Sequence, residues 1–286
     1  MKQLLVISGK GGTGKTTLVA SFAALAGGKV LSDCDVDAAD LHLVLDPDIR
    51  TREEFSGGKE AVKDEEKCTG CGLCHEHCRF DAIDENFEID HFRCEGCGAC
   101  AYVCPEGAIT MEEVLSGYSM ESGTAFGSLV HGELKPGEET SGKLVTELKE
   151  KAKKLAEGED RELIIIDGSP GTGCPVIASL ADVDLALIVT EPTVSGISDL
   201  KRVNRLAENF DIAQEIVINK YDLNLDRVRE IEEYAKANDI TIAGKISYDS
   251  DVTRAMVEGK SVVEYSDGRA SREIRDIWDK IEAGIP

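Results

Sequence analysis

The run "QLLVIS", residues 3 to 8, followed by "GKGGTGKTT", residues 9 to 17, constrains this chain more than any other stretch. A short apolar run rich in branched residues suits a strand buried on both faces. The spacing Gly9-x4-Gly14-Lys15-Thr16 then satisfies G-x4-G-K-S/T, the pattern in which backbone amides and the first turn of a helix cradle phosphates. On this reading Gly11, Gly12, Thr13, Gly14 and Thr17 wrap the phosphates, Lys15 reaches the β and γ oxygens, and the Thr16 hydroxyl sits on magnesium. The helix is predicted to run to about Ala26, stopped by Gly27-Gly28. A second lysine, Lys10, stands near the start of the loop, where phosphate binding alone does not require one.

Further along, "KVLSDCDVDAADLHLVL" reads as a second strand ending in alternating aspartates, Asp33, Asp35 and Asp37. "RELIIIDGSPGTG" supplies an apolar strand and then Asp167, the pattern of a terminal aspartate that takes a magnesium-bound water opposite the loop. The runs "LALIVT", "EIVINK" and "ITIAGKI" alternate with amphipathic stretches at about 196–209, 224–237 and 251–258. Alternation of this kind predicts the α/β class, a doubly wound parallel sheet built around a P-loop. Residues 47–67 are charged and contain glycine, so they read as a solvated linker, while residues 112–139 suggest a hairpin leading to a strand near 127–134. Ser141-Gly142-Lys143 lacks the upstream glycine of a phosphate loop and reads as a helix start; Ile274, Ile277, Trp278 and Ile281 share one face of a packed terminal helix.

Eight of the ten cysteines repeat in tandem. "CTGCGLCHEHC" from Cys68 and "CEGCGACAYVC" from Cys94 both read C-x2-C-x2-C-x3-C, the bacterial ferredoxin spacing, in which the fourth cysteine of each run serves the other cluster. The ligand sets that follow are Cys68, Cys71, Cys74 and Cys104 for one 4Fe-4S cluster, and Cys94, Cys97, Cys100 and Cys78 for the other. Structural zinc sites separate their C-x2-C pairs by a longer loop, so the tandem spacing favours clusters. Arg79 departs from the pattern by standing where proline follows the last cysteine; His75 and His77 read as surface residues, and Cys34 as a small buried one.

A formal charge of −23 repels phosphate backbones and anionic lipids, so neither nucleic acid nor a membrane is expected as a partner. No signal peptide pattern opens the sequence and no run of eighteen apolar residues occurs, which together with the cysteine usage predicts a cytoplasmic location.

The segments "KGGTGKTT", "DCD", "DGSPG" and "VTEPT" resemble the MinD/ParA/Mrp superfamily of ATPases, which includes the nitrogenase iron protein. With cysteines placed between the second strand and "DGSPG", the whole chain resembles MinD-type ATPases that carry an inserted ferredoxin domain. The implied boundaries are 1–60 and 112–286 for the ATPase and 61–111 for the α+β insert with its two 4Fe-4S clusters. The resemblance implies Mg2+-dependent hydrolysis of ATP to ADP in a homodimer or paralogue heterodimer closed by nucleotide, with Lys10 reaching the partner's nucleotide. It also implies that Asp35 orients the attacking water, with Asp37 as its nearest rival, that the Gly171 amide meets the γ-phosphate, and that Asn219 contacts adenine. Cys174 lies seven residues after Asp167, a spacing similar to that of a cluster-bridging cysteine in nitrogenase iron proteins, but reads as a packed thiol near the seam. Three functions are compatible with this pattern: ATP-gated electron transfer to a redox client, which full four-cysteine ligation favours; Mrp-like carriage of clusters to an iron-sulfur client; and a redox-sensing positioning ATPase.

Overall fold

The computed structural model describes residues 1–138 and 141–285 of the chain. In chain order the elements are β1 (Lys2–Ser8), α1 (Lys15–Leu25), β2 (Lys29–Asp33), α2 (Leu41–Leu45), β3 (Asp48–Phe55), β4 (Gly58–Lys63), α3 (Leu73–His77), α4 (Ala99–Val103), β5 (Ile109–Val114), β6 (Gly117–Thr124) and β7 (Gly127–Leu134). They continue with α5 (Ser141–Gly158), β8 (Leu163–Pro170), α6 (Cys174–Leu180), β9 (Leu185–Thr190), α7 (Val194–Glu208), β10 (Ala213–Asn219), α8 (Leu225–Ala237), β11 (Thr241–Ile246), α9 (Ser250–Val257), α10 (Val262–Tyr265) and α11 (Arg269–Gly284). Two units result: Met1–Glu53, Ser119–Glu133 and 141–286 form the first, and Glu54–Tyr118 with 134–140 the second.

In the first unit the strands lie in the order β11-β10-β9-β1-β8-β2-β7-β6-β3. Each pairing from β11 through to β7 is parallel, so helices must carry the chain back along the sheet, and the resulting α/β architecture follows from the alternation visible in the sequence. Central strands have no polar face: β1 buries Gln3–Ser8 and β9 buries all six residues, as a strand covered on both sides must. One core cluster joins Leu4, Val6, Phe22, Leu31 and Leu187 to Ile274, Ile277, Trp278 and Ile281 of α11. The Phe22 and Trp278 rings meet with centroids 5.0 Å apart, which ties α1, the helix behind the phosphate loop, to the C-terminal helix. The register places Asp33 of β2 beside Asp167 of β8, at the strand ends from which the loop also emerges.

The linker expected at 47–67 is instead occupied by β3 and β4. β3 is the last strand in the sheet order and seven of its eight residues are exposed, so it carries no apolar alternation by which a sequence could announce it. The hairpin expected within 112–139 is present as β6 and β7.

The second unit contains residues 61–111, those assigned to the insert. Strands β4 and β5 pair antiparallel, from Gly58 with Val114 to Lys63 with Ile109. The tandem repeat is visible in three dimensions: α3 starts at Leu73 and α4 at Ala99, 26 residues later, and each follows a left-handed glycine, Gly72 (φ 81°) or Gly98 (φ 74°). Its small core is Ala61, Ile83, Cys100 and Ile109, with Phe87, Ile89 and Met111 packed against it. Even with Phe55, Ala82 and Ala108 also buried this is a small core, a shortfall that small domains make up with metals or disulfides.

Candidate functional site

The phosphate loop lies between β1 and α1 in the first unit. Gly14 holds the turn at φ 91°, a left-handed conformation that costs other residues about 1–2 kcal/mol, and so lets Lys15 begin the helix. Lys15 is buried and its Nζ donates to Asp167 Oδ1 at 2.5 Å and to Asp35 Oδ2 at 3.2 Å. Burial works against the Lys15 ammonium, but the attraction of Asp167 and Asp35 outweighs it and holds the group protonated well above its ordinary value. Burial, with the Asp167 charge adding to it and Lys15 opposing, pushes the Asp35 carboxyl up to about 6. Asp33 is raised for the same reasons, first burial and then Asp167, yet its oxygens are engaged by the amides of Asp35 (3.0 Å) and Leu41 (3.3 Å). Asp33 therefore braces the loop after β2, whereas Asp35 faces the lysine. Asp37 is exposed and Asp40 lines the cavity beside Asp35.

A cavity of about 470 Å3 opens over this lysine, lined by the loop from Gly11 to Thr17, by Asp35 and Asn219, and by Val252, Thr253 and Met256. Thr13 Oγ1 of the lining and Asp167 Oδ2, whose other oxygen holds Lys15, are buried without a hydrogen-bond partner. An orphaned carboxylate oxygen beside a phosphate loop fits a Mg2+ ion with its water shell, and Thr16 is the hydroxyl that would join it.

The remaining residues are present but engaged by the chain itself. Lys10 Nζ lies 3.5 Å from Glu191 Oε2 and donates to Ser195 Oγ at 3.2 Å. Lys220 reaches the other oxygen of Glu191 at 2.5 Å. The Gly171 amide donates to the Ser8 carbonyl at 2.8 Å, and Asn219 uses both ends of its amide, donating to Thr13 O at 2.7 Å and accepting from Lys220 N at 2.9 Å. Sequence reasoning missed Glu191, although it is the one charge in "VTEPT", and missed the Val252–Met256 lining, which no motif marks. Cys34 is buried, and burial pushes its thiol up to about 12, which leaves it inert. Cys174, expected to be packed, is exposed at the start of α6, where the helix leaves its side chain on the surface.

In the second unit the cysteines partition into two cavities. Cys68, Cys71, Cys74 and Cys104 line one. Cys78, Cys94, Cys97 and Cys100 line the other, and each is small, about 20 Å3. All eight thiols are free, and the Ala108 amide donates to Cys104 Sγ at 3.3 Å. Among the described residues no group of three or more His, Cys, Asp or Glu stands where it could hold a metal ion. A set of four cysteines is the donor chemistry that a 4Fe-4S cluster would take as its ligands.

Comparison with known proteins places this geometry. Residues 4–262 match the family described as CobQ/CobB/MinD/ParA nucleotide binding domain. The chain is 36% identical over 286 residues to "Uncharacterized protein MJ0578" of Methanocaldococcus jannaschii, covering 99% of this chain and 97% of the relative. It is 30% identical over 278 residues to "Uncharacterized protein MJ0579" of the same organism, covering 94% and 95%. Among solved structures, the cell division ATPase MinD of Pyrococcus furiosus superposes with a TM-score of 0.60 at 20% identity, covering 99% of this chain and 98% of that one. The septum site-determining protein MinD of Pyrococcus horikoshii, complexed with Mg-ADP, also gives 0.60, at 18% identity, covering 99% and 98%.

Proposed function

Because the chain belongs to the CobQ/CobB/MinD/ParA nucleotide-binding family, we propose that it is a Mg2+-dependent ATPase carrying two 4Fe-4S clusters, in which dimer closure on ATP gates electron transfer. One observation carries the iron-sulfur half: the eight cysteines divide between two cavities in the two sets of four that the ferredoxin spacing requires. The nucleotide half is supported by Lys15, Asp35, Asp167 and the cavity above them.

The chemistry of the first unit follows from charge. Lys15 holds two carboxylates at once; phosphate oxygens entering the loop take over its ammonium, which releases Asp35 and Asp167. Asp167 Oδ2 and Thr16 would hold Mg2+, which supplies charge neutralisation at the β and γ phosphates. Asp35, no longer paired, is then the carboxylate free to orient the attacking water, and the departure of the Lys15 ammonium, which holds its carboxyl down against burial, makes it a better proton acceptor. Lys10 exchanges Glu191 for the phosphates of a facing subunit, adding the charge that completes the site. That Methanocaldococcus jannaschii has two such relatives supports a paralogue heterodimer alongside a homodimer.

When bound, the clusters supply one-electron redox chemistry at two sites. The eight cysteines hold them, and Ile83, Ile89, Phe87 and Met111 exclude water from their inner faces. Carriage of clusters to an apo-protein is the second reading, and it draws on Cys71 and Cys97, the exposed thiol of each set, through which an incoming ligand could displace.

Anaerobic reconstitution tests the proposal. The loaded chain should hold about eight iron and eight acid-labile sulfides and show ATP-dependent change in the reduction potential or chelator access of a cluster. Stoichiometric zinc without visible absorption would refute the cluster assignment. Iron passing intact to an apo-ferredoxin, with no electron transfer, would replace gating by carriage.

A further inference from the structure

A groove of about 340 Å3 runs along the second unit, with Glu60, His91, Phe92, Cys94, Glu95 and Glu138 on its walls. Two of these, Cys94 and Glu95, also line the cavity of Cys78, Cys97 and Cys100, so one wall separates the groove from a cluster site. His91 Nδ1 and Glu60 Oε2, both in the lining, lie within hydrogen-bond distance at 2.9 Å. Phe92, also in the lining, is 100% exposed, an apolar ring that a docked molecule can cover.

Charge narrows what that molecule is. Residues 54–118 contain fifteen Asp and Glu against five Lys and Arg, a net charge of −10 on 65 residues, nearly twice the density of the whole chain. The groove itself carries three glutamates against Lys59 and a histidine. Nucleic acid, anionic lipid and phosphorylated ligands are repelled by such a surface, while a lysine-rich one is drawn to it from solution.

We infer that this groove is the docking surface for a cationic protein that accepts or supplies single electrons, seated with a basic rim against Glu60, Glu95 and Glu138 and an apolar contact on Phe92. The inference rests on the cluster assignment above and adds where the client binds and what its surface is. In the forward direction the reduced cluster behind Cys94 loses one electron and the partner's centre gains it; no bond is made and no proton moves.

The test uses the full-length, iron-loaded chain with ferric cytochrome c as the probe, a small lysine-rimmed one-electron acceptor. Carbodiimide coupling of the oxidised chain to the probe, followed by peptide mapping, reads docking without any electron transfer; stopped-flow reduction of the probe by the reduced chain reads function. Cross-links should fall on Glu60, Glu95 and Glu138. Replacing these three by Gln should lower coupling yield and reduction rate at least about fivefold at low salt, and Phe92→Ala should lower both while leaving their salt dependence in place. The triple replacement Glu66→Gln, Glu76→Gln and Glu85→Gln removes the same charge from elsewhere on the unit and should stay within about twofold. Iron content is measured for every variant, so loss of the cluster is separated from loss of docking. Equal effects of the two triples, or cross-links spread over Glu66, Glu76 and Glu85, would overturn the groove assignment. A chain that binds no iron would overturn the cluster assignment instead.

Discussion

Replacing Gly14 by alanine isolates one contact on which the phosphate loop depends. A Cβ built on Gly14 would lie 2.3 Å from Asn219 Nδ2, well inside van der Waals contact, and the residue sits at φ 91°. The backbone strain amounts to about 1–2 kcal/mol. Relieving the clash means moving Asn219 and losing its bond to Thr13 O, worth about 1 kcal/mol, so Gly14→Ala should cost about 2–3 kcal/mol. Asn219→Ala removes the same bond, at about 1 kcal/mol, and clears the space. The double variant counts that bond once, so its cost should fall about 1 kcal/mol short of the sum of the singles. Urea unfolding followed by Trp278 fluorescence reads this: it is the only tryptophan, it is buried, and its ring packs on Phe22 of α1, the helix that Gly14 opens. Costs that add to within about 0.5 kcal/mol would refute the claim that Asn219 braces the loop through the space left by Gly14.

Lys10→Ala should leave nucleotide binding by the single chain intact while abolishing the concentration-dependent rise in ATPase rate and the ATP-induced dimer seen by light scattering; unchanged turnover would remove Lys10 from the mechanism. Asp35→Asn should bind ATP and hydrolyse it poorly, and Asp37→Ala should be active, because Asp35 touches Lys15 whereas Asp37 is exposed. The same Asp35→Asn variant has a pH signature. A carboxyl raised from 3.8 to about 6 in the fold is more protonated there than in the unfolded chain, so it withdraws stability as pH rises from about 4 to 6 and the loss is complete above that window. The variant should therefore gain on the wild type across that window, by about 2 kcal/mol after allowance for solvent screening, and the difference should be flat above pH 7. A difference curve flat from pH 4 to 8 would show that Asp35 is not raised.

What the sequence makes legible here is what a local pattern determines. The strand, glycine loop and helix of residues 2–25 can be read because each residue's role depends on neighbours in the chain, and the same holds for the 26-residue offset that places α3 and α4. β3 could not be read, because an edge strand with seven exposed residues has no alternation, and Cys174 could not, because exposure at the start of α6 depends on what packs there. The nucleotide site falls between these cases. The resemblance names Lys10, Gly171 and Asn219 as groups for a partner's phosphates, a γ-phosphate and a base, but it says nothing of what they hold before any ligand arrives. Here each is closed on the chain: Lys10 on Glu191 and Ser195, Gly171 on Ser8, Asn219 on Thr13 and Lys220. Lys15 is likewise held by Asp35 and Asp167. A buried polar group left unpaired costs about 1–3 kcal/mol, so most of the groups at this site are satisfied internally until phosphates replace those partners, while Thr13 Oγ1 and Asp167 Oδ2 are left without one. On the function proposed above, nucleotide binding at this site is an exchange of hydrogen bonds, and Glu191, the one charge in "VTEPT", is the residue that must release Lys10.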